Sequence, residues 1–270
     1  MLEAKEVNFA YNRGEPVIND ITLTIKDGEF VALLGQNGSG KTTLSRLFMA
    51  LIHPRSGEIL VDGINIVHQE PADLADKIGY VFQNPDLQIL EDTVFDEVAY
   101  GPRAKKQPEA NVREQVEAAL AATGLSELRG AYPRLLSFGQ KRRLGVASAL
   151  ALKPQILILD EITNGQDALE KENIMEYLQA INEQQGMTIV LISHDMDVVR
   201  RFARRAIVLS GGSVVFDDTP TKLFDGTMPL NQWGLCCPTA CRLGNALGIT
   251  AATPEELVAQ LQRKGADANV

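Results

Sequence analysis

The 270-residue sequence has no long apolar run and no apolar leader. Apolar runs such as Ile156–Leu159 have the length of a strand, far short of the ~20 residues that a membrane-spanning helix needs. The N-terminus carries Glu3, Lys5 and Glu6 in place of an apolar segment, which argues against a secretory signal. We therefore expect a chain that is made and kept in the cytoplasm.

Basic residues are also in deficit, with 26 Lys and Arg against 35 Asp and Glu and a net charge of −9. Because a nucleic-acid-binding face is basic, this balance argues against nucleic acid as a partner. The three cysteines, Cys236, Cys237 and Cys241, have no fourth Cys or His close by. We interpret them as unpaired structural thiols of a reducing compartment, in preference to a metal site.

The most informative segment present is GQNGSGKTT at 35–43, which matches the phosphate-binding loop pattern. It follows the apolar run Phe30–Leu34, which predicts a buried strand, and leads into a segment with helical spacing. In such a loop the glycines and the helix N-terminus present N–H groups to phosphate. Lys41 adds a full charge, and the Thr42 hydroxyl is a ligand for Mg²⁺. The predicted nucleotide-binding residues are Gly35, Asn37, Gly38, Ser39, Gly40, Lys41, Thr42 and Thr43.

Strand and helix patterns alternate along the chain, which predicts an α/β fold with a largely parallel sheet. Strands are predicted at 6–10, 17–25, 30–34, 58–61, 78–82, 156–160, 188–192 and 206–209. From about 84 to 150 strand patterns vanish, and this region is predicted to be a helical subdomain inserted into the core. Residues 1–226 are predicted as the main domain and 227–270 as a small helical extension.

Asp160 and Glu161 follow a buried strand, and the carboxyl ends of strands are where α/β sheets bind ligands. Asp160 is predicted to hold Mg²⁺, directly or through water, and Glu161 to orient and polarise an attacking water. Ser137 precedes a predicted helix at 138–152. It has two open interpretations, a plain helix cap and part of an anion site.

Five segments in this order resemble the ATP-binding-cassette (ABC) ATPase family. They are the phosphate-binding loop, Gln83, LSFGQ at 136–140, ILILDE at 156–161, and Ser193-His194-Asp195. The resemblance covers residues 2–225, and the LSGGQ-type signature is specific to that family. It implies an ABC-type P-loop NTPase with an N-terminal antiparallel β part and an inserted helical subdomain. It also implies a head-to-tail dimer that sandwiches two ATP molecules, closes on ATP and opens after hydrolysis.

The resemblance gives each matching residue a role. Tyr11 matches the aromatic residue that stacks on adenine, with an ordinary strand tyrosine as the alternative. Gln83 matches the glutamine that senses Mg²⁺ and the attacking water, and His194 the histidine that contacts the γ-phosphate. The implied metal-site residues are Thr42, Gln83 and Asp160, and the implied catalytic residues are Glu161, His194 and Gln83. Four residues would act across the dimer interface: Ser137, Gly139, Gln140 and Asp167.

Two segments depart from the family pattern. Phe138 replaces the first glycine of LSGGQ, where the family tolerates variation. The EPTSxLD segment differs at Ile162, Asn164 and Gln166, and we expect the loss of proline at 162 to loosen that loop. All the catalytic residue types remain, so we expect an active ATPase. The basic residues after the signature are expected to form a solvated helix face: Lys141, Arg142 and Arg143.

The stretch FQNPDLQ at 82–88 and the tail at 230–270 resemble the ATPases of energy-coupling factor (ECF) vitamin and metal importers. This resemblance implies a transmembrane coupling protein, docked just after Gln83, and a substrate-binding membrane protein, with the chain on the cytoplasmic face of the membrane. Two alternatives stay open: the ATPase of an ordinary binding-protein-dependent importer, and a soluble ABC protein acting on nucleic acid. The transported substrate, the transport direction and the choice between a homodimer and a heterodimer also stay open.

Overall fold

The computed structural model describes residues 1–12 and 14–267. Across this part of the chain the strands are β1 Leu2–Phe9, β2 Ile18–Ile25, β3 Phe30–Leu34, β4 Ser56–Val61, β5 Ile64–Asn65, β6 Ile78–Val81, β7 Ile156–Asp160, β8 Thr188–Ile192, β9 Arg205–Ser210 and β10 Ser213–Asp218. The α-helices are α1 Lys41–Phe48, α2 Pro71–Leu74, α3 Val94–Ala104, α4 Glu109–Ala122, α5 Phe138–Ala151, α6 Ala168–Gln185, α7 Met196–Phe202, α8 Pro220–Leu223, α9 Thr239–Ala246 and α10 Pro254–Asp267.

The central sheet has six strands in the order β10-β9-β3-β8-β7-β6, parallel throughout except for β10. Every residue of β3, β7 and β8 is buried, which explains their unbroken apolar runs. Alternate side chains enter separate cores: Ala32 and Leu34 join the cluster with α6 and α7, whereas Val31 and Leu33 join the cluster with α1. The predicted α/β fold with a largely parallel sheet is confirmed.

The second sheet is antiparallel, in the order β2-β1-β4-β5, and packs on the α1 side of the central sheet. This confirms the antiparallel N-terminal part, but β1 begins at Leu2 and not at Glu6. Leu2 and Ala4 point inward between charged neighbours, and a bulge near Glu6, whose φ is +51°, restarts the alternation at Val7. The bulge hides the regular period of two from the sequence pattern.

Helices α3, α4 and α5 share a third cluster of buried residues, and the structure has no strand between β6 and β7. This is the inserted helical part. Helix α5 ties it to the sheet, because Leu144 and Ala147 belong to the helical cluster and Val146 and Leu150 to the core under the sheet. The predicted domain boundaries at about 84, 150 and 226 stay predictions.

The C-terminal part contains α9 and α10, and residues 268–270 of the predicted extension lie outside the described residues. Cys236, Cys237 and Cys241 are free thiols, and Cys241 is buried with its Sγ 3.2 Å from the carbonyl oxygen of Ala251. Among the described residues, no cluster of His, Cys, Asp and Glu is placed to hold a metal ion. No described helix combines the length and apolar character needed to cross a membrane.

Gly57 lies opposite the β1 bulge with a φ of +83°, where an added methyl group would sit 2.3 Å from the carbonyl oxygen of Glu6 and 2.4 Å from that of Lys5. Those oxygens cannot move without disturbing the β1–β4 pairing. We therefore expect Gly57→Ala to lower the free energy of unfolding by about 3 kcal/mol or more.

Gly63→Ala is the matched control, because Gly63 has a similar φ of +76° and open space around its Cα. Its loss should stay near 1 kcal/mol, the cost of the backbone conformation alone. Urea unfolding of both variants measures the difference. Equal losses would show that the close approach at the bulge does not limit stability.

Candidate functional site

The loop between β3 and α1 depends on its glycines. Gly35, Gly38 and Gly40 have φ angles of 137°, 80° and 105°, a region that favours glycine. A side chain at Gly35 would lie 2.2 Å from the carbonyl oxygen of Leu209, and one at Gly40 would lie 2.9 Å from that of Val17. At Gly38 nothing lies within 4 Å of an added side chain. The loop is therefore packed tightly at both ends and open in the middle.

The start of α1 suits an anion. Gly40 is its N-cap, no side chain caps it, and its first turn holds no acidic residue. First-turn N–H groups have no acceptor within a helix, so a phosphate there is favoured. The Ser39 hydroxyl is buried and has no hydrogen-bond partner in the described part of the chain. These unpaired donors fit the phosphate site that the sequence predicts.

Lys41 holds its charge inside this loop. Its ammonium donates to the carbonyl oxygens of Gly35 at 2.8 Å and Gln36 at 3.0 Å. Burial lowers the pKa of Lys41, against the opposing attraction of the Glu161 and Asp160 carboxylates. Neutral carbonyl groups, which phosphate oxygens can replace, are therefore the direct partners of this cation.

Asp160 is 3% exposed at the end of β7, and its Oδ2 accepts hydrogen bonds from the hydroxyls of Tyr80 at 3.0 Å and Thr42 at 3.3 Å. Burial raises the pKa of Asp160, and Glu161 raises it further, while the two hydrogen bonds and Lys41 lower it. The Thr42 and Asp160 oxygens, both predicted for Mg²⁺, thus lie side by side. Such oxygen donors suit a hard cation.

The Glu161 carboxylate is the centre of the site. Its Oε2 accepts from the side-chain amides of Gln83 at 2.7 Å and Asn164 at 2.9 Å, and its Oε1 lies 3.2 Å from Nε2 of His194. Its backbone has a φ of +55°, and its N–H donates to the carbonyl oxygen of Ile192 at 2.9 Å. Such strained conformations cluster at functional sites. The structure therefore brings Gln83 and His194 into contact with the two carboxylate oxygens of Glu161.

The signature segment, residues 136–140, packs against the start of α6 in its own chain. Ser137 and Gln140 form a capping box, so Ser137 caps α5, while its part in an anion site stays a prediction. Asp167 caps α6 by accepting from the N–H of Glu170 at 2.8 Å, and an added side chain at Gly139 would lie 3.0 Å from Oε2 of that glutamate. The roles of these residues toward a second subunit stay predictions.

Tyr11 lies beside the phosphate-binding loop, with its hydroxyl 3.1 Å from Oγ1 of Thr43. Its ring packs edge-on against Phe9 and is 53% exposed. An open ring face next to the loop suits stacking on a base. Stacking on adenine stays a prediction, as does the role of the exposed Asn37.

The expectation of a solvated basic face after the signature is wrong for Arg142, which is 4% exposed. Its spacing of four and seven residues from Val146 and Ala149 places it on the buried face of α5, a signal that was available in the sequence. Arg142 donates to the carbonyl oxygens of Glu161 and Gln83. The two flanking residues form ion pairs: Lys141 with Asp86 and Arg143 with Glu170.

Sequence reasoning also missed two side chains that touch the carboxylates. Tyr80, which pairs with Ile158 across β6 and β7, donates to Asp160, and the alternation of β6 carried no sign of that contact. Asn164 donates to Glu161, and its departure from the family pattern was the available signal.

A family model described as ABC transporter matches residues 18–164, more than half of the chain. The energy-coupling factor transporter ATP-binding protein EcfA1 of Streptococcus thermophilus is 37% identical over 270 residues, covering 97% of this chain and 98% of that protein. The chain spans only 46% and 39% of the length of two other curated relatives, both described as putative ABC transporter ATP-binding proteins, but 94% of a third, from Pyrococcus furiosus.

Two solved structures share the architecture. The structure of cbiO1 from Clostridium perfringens, part of the ABC transporter complex cbiONQ, has a TM-score of 0.77 at 35% identity and covers 90% of this chain and 97% of its own. The ATP-binding cassette MJ0796, a dimer in a post-hydrolysis state bound to ADP and Pi, has a TM-score of 0.76 at 32% identity and covers 82% and 99%. The family match and the similarity to EcfA1 show that the chain belongs to the ABC transporter family.

Proposed function

We propose that this chain is the ATP-hydrolysing motor subunit of a membrane importer, of the ECF type. The observation that carries hydrolysis is that Gln83 and His194 each lie within hydrogen-bond distance of the Glu161 carboxylate, beside the phosphate-binding loop. The ECF type is supported by the similarity to EcfA1 over nearly the whole of both chains and to cbiO1, which belongs to a transporter complex.

ATP binding uses the loop and the start of α1. The triphosphate lies along the open side of the loop at Gly38, and its oxygens take the place of the Gly35 and Gln36 carbonyls on Lys41. The N–H groups at the start of α1 and the Ser39 hydroxyl add neutral donors. Tyr11 supplies an aromatic surface for the base.

Thr42, Gln83 and Asp160 would together hold Mg²⁺, which when bound neutralises phosphate charge. Glu161 orients a water molecule for attack on the γ-phosphorus and accepts its proton, the bond to the β-phosphate oxygen breaks, and ADP and phosphate leave. The amides of Gln83 and Asn164 hold the Glu161 carboxylate in place before the water arrives. His194, on the other carboxylate oxygen, contacts the γ-phosphate.

The segment of residues 84–91, here called the coupling segment, is the proposed contact with the membrane partner. Leu87 and Leu90 are 73% and 64% exposed, while Ile89 between them is buried. The buried Glu97 carboxylate accepts the N–H groups of Leu90 and Glu91, both at 2.8 Å. Glu97 thus fixes the backbone at Leu90, and the side chains of Leu87 and Leu90 both face solvent. These leucines suit an apolar partner helix, and the carboxylate of Glu91 beside Leu90 suits a basic residue on it.

A second cassette completes the site in this proposal. Ser137, Gly139 and Gln140 of one chain face the nucleotide of the other, and Asp167 contacts the partner across the interface. The dimeric state of MJ0796 with ADP and Pi supports this arrangement. The phosphate-binding loop of each chain then faces the signature segment of the other, so the nucleotide between them becomes part of the interface.

Glu161→Gln should abolish steady-state ATP turnover, by about 100-fold or more, because a neutral amide cannot accept the proton of water. ATP binding should persist, since Lys41 and the loop are unchanged. Glu172→Gln is the matched control. It makes the same change on α6, at a glutamate that pairs with Arg201 of α7, and should keep wild-type turnover. Phosphate release and equilibrium ATP binding test both. Unchanged turnover in Glu161→Gln would remove Glu161 from this role.

Lys41→Met should weaken ATP binding about tenfold or more, because it removes the charged donor from the loop and keeps the apolar stem. Lys222→Met, at an exposed pair with Asp218, is the control and should bind like wild type. A fluorescent ATP analogue titrated against both variants gives the dissociation constants. Equal affinities would place the phosphates away from Lys41.

Leu87→Asp combined with Leu90→Asp should release the membrane partner and leave ATP turnover intact, because both side chains lie outside the catalytic cluster. Ile64→Asp, an exposed apolar residue on β5, is the control. The tagged chain is captured from its native membranes in mild detergent, and its partners are identified by mass spectrometry.

The proposal predicts one transmembrane coupling protein with small substrate-binding membrane proteins, retained by wild type and Ile64→Asp and lost by the double variant. Paired permeases with an external binding protein would instead indicate an ordinary importer. A chain recovered without membrane proteins, or with nucleic acid, would reject the transport function and leave ATP hydrolysis standing.

A further inference from the structure

Arg142 is a buried cation beside the catalytic cluster to which the family resemblance assigns no role. It lies on α5, five residues after the Ser137 cap, and only 4% of it is exposed. Burial lowers the pKa of its guanidinium, while the carboxylates of Glu161 and Asp160 raise it. The guanidinium charge therefore interacts electrostatically with both carboxylates but donates its hydrogen bonds to neither of them.

The two ends of the guanidinium hold two separate segments of backbone. Nη1 donates to the carbonyl oxygen of Glu161, and Nη2 donates to the carbonyl oxygen of Gln83 at 3.3 Å. The side chains of these same two residues meet at 2.7 Å, from Nε2 of Gln83 to Oε2 of Glu161. One side chain thus holds the backbones of both members of the central catalytic contact.

Burying the guanidinium charge of Arg142 costs free energy that a purely packing role would not require. Lys141 and Arg143 pair with carboxylates, whereas the acceptors of Arg142 in the described chain are two neutral carbonyl oxygens. An apolar side chain of the same length would fill the space without the penalty of burying a charge. A cation–π contact offsets part of the cost of burying this charge: the ring centroid of Phe138 lies 4.6 Å from the guanidinium carbon.

Phe138 connects this cation to the signature segment. Its ring is 47% exposed, and an added side chain at Gly165 would lie 3.1 Å from its Cδ1. The ring therefore lies between the guanidinium of Arg142 and the loop that follows Glu161. It stands in place of the glycine of the family pattern and gives the guanidinium an aromatic neighbour that a glycine could not.

We propose that Arg142 is a positioning residue for ATP hydrolysis: by holding the carbonyl groups of Gln83 and Glu161, it keeps the Gln83 amide on the Glu161 carboxylate. The proposal rests on the proposed ATP hydrolysis at Glu161. The hydrogen bonds of Arg142 go to the carbonyl oxygens of Glu161 and Gln83 and not to the phosphate-binding loop, so its loss should alter the alignment of the catalytic pair and leave that loop as it is.

Arg142→Met removes the donors and keeps most of the apolar stem. We expect kcat to fall at least tenfold, with the affinity for a fluorescent ATP analogue within twofold of wild type. Arg142→Lys should recover part of the loss, because an ammonium can reach one carbonyl. Arg143→Met is the matched control, since Arg143 lies next on the same helix but contacts Thr123 and Glu170; its kcat should stay within threefold of wild type.

A double-mutant cycle separates positioning from general damage. In a Gln83→Ala background the pair is already broken, so adding Arg142→Met should cost less than twofold in kcat. Adding Arg143→Met should reproduce its own small effect. Multiplicative losses for Arg142→Met and Gln83→Ala would overturn the proposal.

Amide hydrogen exchange of the ligand-free chain tests the same contact without catalysis. Peptides that span Gln83 and Glu161 should exchange faster in Arg142→Met and at the wild-type rate in Arg143→Met. Unchanged exchange at both segments would overturn the positioning role whether or not the chain hydrolyses ATP. A wild-type chain that does not hydrolyse ATP, with the exchange result as expected, would reject the proposed function and keep the contact.

Discussion

The parallel pairing of β3, β8, β7 and β6 is the constraint on which the site depends. Parallel strands end at the same edge of a sheet, so whatever follows each strand is gathered there. Here those continuations are the phosphate-binding loop, His194, Glu161 and Gln83. Residues that lie more than a hundred positions apart in the chain therefore meet without any long loop having to be ordered.

At this edge of the central sheet, the buried cations and the carboxylates have separate sets of hydrogen-bond partners. Two cations, Lys41 and Arg142, are held by backbone carbonyl oxygens, and neither forms its hydrogen bonds to a carboxylate. The carboxylates of Asp160 and Glu161 are held by neutral hydroxyl and amide donors and by an imidazole. Because the opposite charges do not neutralise each other directly, this arrangement suits the proposed roles of Lys41 toward phosphate and of the carboxylates toward a metal ion and water.

Much of the site could be predicted because its residues directly follow apolar strands. The loop at 35–43, Asp160, Glu161 and His194 each come at the end of a run that predicts a buried strand, and a sheet built from those runs must bring them together. The coupling segment illustrates the limit: its sequence pattern is recognisable, but its backbone is held by the buried carboxylate of Glu97, six and seven residues further along the chain. A glutamate in the first turn of a helix is common, and its type alone does not predict that it turns inward to accept these N–H groups.

The contacts that sequence reasoning missed depend on packing between elements. Arg142 was expected in solvent because three basic residues in a row resemble a charged surface, yet the helix turns only one of them into the core. Tyr80 of β6 donates to Asp160 of the neighbouring strand β7. The bulge at Glu6 shifts the alternation of buried and exposed residues along β1. Each depends on register or on helix rotation, which are fixed only once the neighbouring element is in place.

The most direct test of this account is a crystal structure of the Glu161→Gln variant with ATP and Mg²⁺. The account predicts the γ-phosphate within hydrogen-bond distance of Lys41 Nζ and His194, with the metal ion between the Thr42 hydroxyl and Asp160. A nucleotide bound elsewhere, or phosphates that leave Lys41 on its carbonyl oxygens, would contradict the assignment of this edge of the sheet as the catalytic site.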